Sequence, residues 1–369
     1  MNPDVTVRTK RLDDPNSELI TDFFRVEFPD LVGGNIEGLV ALITGKMIGS
    51  RNYRLAGAPT PESEVAIRDV IRIAVESNRP IPVLIVCGPK KPVNGESIDV
   101  AELSALRILA CVQRQVQEFY PAGLDIRLRL ENSTGFILEG TDTAIVDSMA
   151  KYISDISALI RILGYDTFIK PIIESDIVPI DVFGKMANDL IPYFFDYLKE
   201  SSIAPVHEWT SLESFKSLQQ FGWNGIIPPE MREYYHHRYS ILFPEYTAIQ
   251  RLEAIAKYFA STLARYKVNG IGDDPAWNKK FIQINFAPPV LGDSSARTAT
   301  RLYYRTVPLS HTKKHLPFWR AKGYLKLNGN VHISLATWNE PLDLTPFEVE
   351  LSKGNDKVII KADYMTVDR

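Results

Sequence analysis

One run constrains this chain more than any other: Ile81-Pro82-Val83-Leu84-Ile85-Val86-Cys87, closed by Gly88-Pro89. It is far too short to span a bilayer, and it lacks the alternation of a strand with one wet face. It therefore predicts a strand covered on both faces. The polar loop Lys90-Lys91-Pro92-Val93-Asn94-Gly95-Glu96-Ser97 follows, and then Asp99 with Glu102 three residues on. That pairing resembles a capping box in which Asp replaces the usual Ser or Thr, so a helix is expected from there. Leu103, Leu106, Leu109, Val112 and Val116 form an amphipathic stripe that runs out near Phe119-Tyr120-Pro121. Past Pro121-Ala122-Gly123, the segment Leu124–Leu130 alternates strictly, as a half-buried strand does. A further helix is expected over 143–163, with Gly164 at its C-terminal stop. Strand, helix, strand, helix predicts an α/β chain with a mostly parallel sheet. Such sheets bind ligands at the carboxyl ends of their strands, which makes the 88–98 loop the first place to look for function.

The flanks read differently. Residues 1–75 carry short apolar clusters at helical spacing and are expected to form an N-terminal helical cap, with one helix starting after Pro61. The α/β core is assigned to 76–175 and a mainly helical segment to 176–270. A β-rich C-terminal extension is assigned to 271–369, beginning at the break Gly270-Ile271-Gly272. In that extension 281–286, 302–307, 323–327 and 331–335 read as strands, and Asn328-Gly329 marks a hairpin between the last two. The extension is expected to be an antiparallel addition to the main sheet or a small β appendage.

Composition removes several classes. The chain has 369 residues with 42 Lys and Arg against 45 Asp and Glu, a net charge of −3, which argues against a dedicated nucleic-acid binder. Two cysteines, Cys87 and Cys111, make neither a disulfide scaffold nor a structural zinc site. No apolar run approaches the ~20 residues of a membrane span. The start, Met1-Asn2-Pro3-Asp4-Val5, lacks the basic-then-apolar pattern of a secretory signal, so a soluble cytoplasmic protein is expected, with neither nucleic acid nor membrane as partner. No GxGxxG follows the 81–87 run, and GxxxxGK[ST], GxSxG and HExxH are absent, which withdraws support from nicotinamide, P-loop, hydrolase-elbow and zincin chemistry.

Two constellations remain. In the first, Lys90 and Lys91 are suited to an anionic phosphate or carboxylate, or one of them to acid–base work if burial shifts it, and Asn94 to orienting a carbonyl or hydroxyl. The plain alternative is solvated lysines with Asp99 only capping a helix. The second, within 285–326, comprises Asn285, Arg297, Arg301, Arg305, His311, Lys313, Lys314, His315 and Arg320. Arg301 and Arg305 share one face of a strand if the strand runs through both, and an imidazole among such cations suits proton transfer on a phosphate-bearing substrate. The alternative is a basic, solvated hairpin. His236-His237 reads as helix-end packing before a metal site, and Cys87 as a small buried hydrophobe before a nucleophile.

From Lys91-Pro92-Val93-Asn94 onward the chain resembles the pyoverdine/dityrosine biosynthesis family, which includes the isonitrile synthases. The shared pattern is a K-x-x-N loop, a D-x-x-E helix start, a leucine-rich helix and a Tyr-Pro-x-Gly turn. Here it is carried by Lys91 and Asn94; Asp99 and Glu102; Leu103, Leu106 and Leu109; and Tyr120-Pro121-Ala122-Gly123. Pro308-Leu309-Ser310-His311 and Leu316-Pro317-Phe318-Trp319 add a looser similarity. The family's Ser-Asp-Gly-like turn is replaced by Glu131-Asn132-Ser133-Thr134-Gly135 and its Pro-Trp-His by Phe318-Trp319-Arg320, so the resemblance is to a divergent member. It implies a Rossmann-like core. It also implies condensation of an amino-acid α-amine with the ketone of ribulose 5-phosphate, whose C2 becomes the isonitrile carbon. No cofactor or metal is implied, and downstream biosynthetic enzymes are expected as partners. On that footing Lys91, His311 and Glu102 are expected as the catalytic set. Asn94, Lys90, Asp99, Arg297, Arg301, Arg305, Lys313 and His315 are expected to bind substrate. Another condensation or group transfer on an amino-acid amine, and a non-catalytic small-anion-binding protein, stay open as alternatives.

Overall fold

In a computed structural model of the chain, the residues described are 5–9, 14–25, 61–88, 91, 97–132, 143–177, 180–200, 246–254, 256–257, 260, 281–286, 301–308, 311–312, 314, 316–337 and 340–367. Their elements run β1 (Thr6–Thr9), α1 (Ser17–Arg25), α2 (Pro61–Glu76), β2 (Ile81–Cys87), α3 (Val100–Gln117), β3 (Leu124–Leu130), α4 (Thr143–Ile162), β4 (Ile169–Ile173), α5 (Glu174–Ile177) and α6 (Ile180–Glu200). There follow β5 (Ile282–Asn285), β6 (Arg301–Tyr303), a 3-10 turn (Phe318–Arg320), β7 (Lys322–Leu327), β8 (Val331–Ala336), β9 (Glu348–Lys353), β10 (Asp356–Lys361) and β11 (Tyr364–Thr366).

Five parallel strands form the central sheet in the order β4-β3-β2-β5-β6. β2 lies in the middle, as its uninterrupted apolar composition requires, with Ile81, Val83, Ile85 and Cys87 wholly enclosed. Each such aliphatic side chain contributes on the order of 1.5–3 kcal/mol on burial. A proline in a central strand is normally excluded because it cannot donate to a ladder. Pro82 escapes the rule because pairing with β5 begins only at Val83. Pro171 lies in β4, an edge strand, where the missing donor costs little.

Two expectations about the C-terminal third need correction. β5 and β6 are neither antiparallel nor an appendage: they complete the core sheet as parallel strands beside β2. The strand expected over 302–307 ends at Tyr303, so its even spacing does not carry Arg301 and Arg305 onto one strand face. The remaining strands do form antiparallel units. β7 and β8 make the expected hairpin, but Leu327 pairs with Val331, so its loop has Asn328, Gly329 and Asn330, with Gly329 at φ 85°. β11 adds parallel to β7. β9 and β10 form a second hairpin through Gly354-Asn355, and β1 pairs antiparallel with β9. The N-terminal segment expected to be a helical cap therefore begins with a strand. Tyr364 Oη reinforces the closure by donating to Asp14 at 2.8 Å.

Helix α3 is covered on most sides rather than along one stripe. It packs against β7, β8 and the 3-10 turn, and its buried residues include Glu102, Arg107, Gln113 and Gln115. The polar ones have work in the fold. Arg107 donates to the Phe24 carbonyl at 2.9 Å, and Gln113 Oε1 accepts the Leu124 amide at 2.7 Å, which fixes the start of β3. The Tyr-Pro-x-Gly turn has a mechanical explanation. Tyr120 Oη donates to the carbonyl of Arg79 at 2.9 Å, tying the exit of α3 to the entry of β2. Gly123 has φ 62°, and a Cβ there would stand 2.6 Å from the Gln113 side chain. Gly164, at φ 72°, ends α4 as expected. Among the described residues no helix is long and apolar enough to cross a membrane.

Candidate functional site

The loop after β2 delivers Lys91 into the molecule. Its side chain is 0% exposed, and Nζ lies 2.5 Å from Glu102 Oε2 and 2.8 Å from Asp99 Oδ1. The two carboxylates are held there by the helix start. Asp99 caps α3, accepting the Ala101 amide at 2.7 Å, while Glu102 Oε2 reaches back to accept the Asp99 amide at 3.0 Å. The capping box read from the sequence is thus real, and it doubles as the lysine's counter-charge. The far segment closes over it: Gly323 N–H donates to Asp99 Oδ2 at 2.8 Å, and the Lys91 amide to the Trp319 carbonyl at 3.3 Å. From α4, Tyr152 Oη donates to Glu102 Oε1 at 2.9 Å.

Electrostatics follow from this enclosure. Burial lifts Glu102 from 4.5 to about 7; Lys91 opposes the rise and Asp99 adds to it. Burial works against the Lys91 ammonium, but Asp99 and Glu102 outweigh it and hold the charge on the amine. Burial, then Glu102 and Glu131, push the Cys87 thiol well up, so it is a neutral interior thiol and not a nucleophile at neutral pH. Burial and then Glu102 raise the Tyr152 phenol likewise.

The solvated-lysine alternative does not hold for Lys91. Nor do Lys91 and Glu102 present an open face: each is spent on the other and on neighbouring groups, and this conformation leaves them no direct contact with a ligand in solution. Lys91, Asp99 and Glu102 come together. Arg305 is buried, and that burial lowers its guanidinium. His311 packs edge-to-face on His332 with ring centroids 4.8 Å apart, and both Nδ1 atoms are buried with no hydrogen-bond partner among the described residues. Burial first, and then His332, lower His311 to about 4. Lys314 is ion-paired with Glu340. Lys90, Asn94, Arg297, Lys313, His315 and the His236-His237 pair lie outside the described residues, as does the side chain of Arg301. Among the described residues no group of three or more His, Cys, Asp or Glu is placed to hold a metal ion.

The carboxyl edge of the sheet holds polar groups that the sequence reading passed over. Arg129 Nη2 donates to Glu131 Oε1 at 2.7 Å. The Glu131 amide extends the β2–β3 ladder by donating to the Cys87 carbonyl at 2.9 Å. Asn132 and Ser175 bond each other twice, tying the end of β3 to α5. Their signal was present: Arg127, Arg129 and Glu131 fall on the polar positions of an alternating strand, and the last two stand at its carboxyl end, where parallel sheets bind ligands. Tyr152 left no such signal, being one more large residue in an apolar helix.

No protein-family profile matches the chain, and no curated protein matches it. Among solved structures, the crystal structure of the PvcA protein from Pseudomonas aeruginosa superposes with a TM-score of 0.53 over 89% of this chain and 100% of that one, at 14% sequence identity. At that identity the likeness establishes one thing, a shared α/β fold over nearly the whole of both chains.

Proposed function

We propose that the chain is an isonitrile synthase-like enzyme of natural-product biosynthesis that condenses an amino-acid α-amine with a ketose phosphate, ribulose 5-phosphate. One observation carries this reading. The segment whose motifs resemble the pyoverdine/dityrosine family is built here at the carboxyl end of the central strand, in a fold shared with PvcA. The resemblance supplies the chemistry. The amine adds to the ketone and loses water to give an imine, and the sugar's C2 stays on nitrogen while phosphate leaves and the remainder fragments. These steps need a proton donor for the departing hydroxyl and cations for the phosphate. Lys91, Asp99 and Glu102 serve as a positioning unit: their ion pairs hold Lys91 against the start of α3. His311, neutral at pH 7 with a free Nδ1, is the group assigned to proton relay, and Arg301 and Arg305 are assigned to the phosphate. No cofactor or metal has a role in the scheme.

The test is direct. Purified protein is incubated with tyrosine, tryptophan or leucine plus ribulose 5-phosphate, and released phosphate and formaldehyde are followed by mass spectrometry. Amino-acid-dependent release of both is expected, and its absence with every amino acid refutes the proposal. One observation favours a second reading, a binding protein that retains a small-anion pocket: Lys91 and Glu102 are completely enclosed. Saturable binding of ribulose 5-phosphate without consumption decides for that reading.

A further inference from the structure

Among the described residues, two arginines set both Nε and Nη2 against a carboxylate, while the buried Arg129 uses that edge only by half; Arg68 and Arg72 also use Nη2 alone, but on the exposed surface. Arg127 places Nε at 2.9 Å and Nη2 at 2.8 Å from Asp125 Oδ2. Arg161 places Nε at 3.1 Å and Nη2 at 2.7 Å from Asp356 Oδ1. Arg129 commits only Nη2, to Glu131 Oε1, and its Nε is buried with no partner among the described residues. The order is the reverse of what burial dictates. Arg127 and Arg161 are 38% and 48% exposed, so water is at hand for any unused donor, whereas Arg129 is 6% exposed. A buried guanidinium N–H without an acceptor is costly, and a ligand that supplies the acceptor removes that cost.

The position suits a ligand. Arg129 is the penultimate residue of β3, opposite Val86 of the central strand, and Glu131 follows the strand's end. A methyl group built on Gly88 would stand 3.6 Å from Glu131 Oε2, so this carboxylate lies across the carboxyl end of β2. Glu131 is also near enough to Cys87, the last residue of β2, for its charge to help raise the thiol. The backbone under it is fixed by the Glu131–Cys87 and Asn132–Ser175 bonds.

We propose that Arg129 and Glu131 form a head-group clamp for a zwitterionic α-amino acid. The ligand's carboxylate takes the Nε/Nη2 edge of Arg129 in bidentate fashion, and Glu131, displaced from that edge, accepts the ligand's ammonium. One ion pair is exchanged for two, net charge is unchanged, and the unused Nε–H gains its acceptor. The empty clamp stays neutral because Glu131 occupies half of the arginine's edge. This deepens the reading above and rests on it, since it takes an amino acid to be a substrate.

The experiment is calorimetric binding to the full chain without any sugar phosphate. L-Tyrosine, L-tryptophan and L-leucine are each compared with the decarboxylated amine and with the deaminated acid. At least one amino acid is expected to bind ~30-fold or more tightly than both of its analogues, as loss of a hydrogen-bonded charge pair requires. Arg129→Gln is expected to abolish the preference over the amine, and Glu131→Gln the preference over the acid. Arg129→Lys, which keeps the charge and loses the fork, is expected to show most of the first loss, and it serves if the glutamine variant does not fold. The clamp is overturned if no amino acid is preferred to its analogues, or if folded Arg129 variants keep the preference. The two proposals fail separately. Arg129-dependent preference without phosphate release leaves the clamp and removes the reaction; phosphate release by a chain whose Arg129 variants still prefer the zwitterion does the opposite.

Discussion

Lys91→Met keeps the length of a buried side chain and removes its charge, which isolates what the ion pairs contribute. Removing one member of a buried pair typically costs ~3–5 kcal/mol, because the charge left behind has no counter-ion. Both carboxylates retain other donors: Ala101 and Gly323 amides for Asp99, the Asp99 amide and Tyr152 hydroxyl for Glu102. The loss near neutral pH therefore belongs at the lower end, about 3 kcal/mol. It also depends on pH with a definite sign. In the wild type Glu102 is raised to about 7 from 4.5. Between those values the folded chain holds a proton that the unfolded chain has released, so this contribution is present at low pH and lost as pH rises to 7. Deleting Lys91 removes the influence that holds the carboxyl down, so the variant keeps that proton above pH 7 where the wild type has released it. The deficit then grows by about 1.4 kcal/mol per pH unit above 7. Urea unfolding at pH 6.5 and 8.5, followed by tryptophan fluorescence, measures both quantities. The double variant Lys91→Met/Glu102→Gln serves as the control in which the buried charge is gone, and its deficit is expected to lose the pH dependence. A loss under about 1 kcal/mol at both pH values, or one that does not change with pH, refutes the buried-pair account.

Two further perturbations probe the surroundings. In Gly323→Ala the new Cβ would stand 2.6 Å from Asp99 Oδ1 and 2.7 Å from the Ala101 amide, so β7 must move off the cap of α3; a loss of ~1–3 kcal/mol is expected in thermal or urea unfolding, and a neutral result contradicts the close approach. For His311, lowered from 6.5 to about 4 by burial and His332, folding is supported fully above 6.5 and loses that support as pH falls toward 4, since the unfolded imidazole takes up a proton that the folded one refuses. The charged groups near this pair are Lys326, opposite His332 in the β7–β8 register, and Lys314, which is ion-paired with Glu340. Midpoints of unfolding measured from pH 4 to 8 are expected to fall across that window, and His311→Phe to flatten the fall.

The legible parts of this fold are those whose causes are local. β2 announced itself by continuous apolar residues, α3 by Asp99 and Glu102, the end of α4 by Gly164, and the β7–β8 hairpin by Asn328-Gly329. What escaped was set by partners distant in sequence. β5 and β6 read as strands, but nothing in Ile282–Asn285 says that its neighbour is β2 and that the pairing is parallel. Thr6–Thr9 is rich in β-branched residues, but at four residues the signal is short, and only β9 gives the strand its partner. The same holds at the site. Lys91, Asp99 and Glu102 were identifiable as a group from one short stretch, while their enclosure depends on Tyr152 and Gly323, which meet them only in the folded chain. Arg129 and Glu131 stand two residues apart on one strand, so their pairing is local, but their burial at the sheet edge is not written in the alternation of β3.

The strand order has a consequence for how the protein is made. β2 has β3 on one side soon after synthesis, but its other side is filled by β5, which emerges only after everything between Gly88 and Ile282 has been translated. At ~5–20 residues per second, this uninterrupted apolar strand waits on the order of ten seconds or more with one row of amides and carbonyls unpaired. Expression at reduced temperature, or with chaperones that shelter nascent sheet edges, is expected to raise the yield of this protein. A truncation ending before Ile282 leaves that edge open permanently and is expected to aggregate.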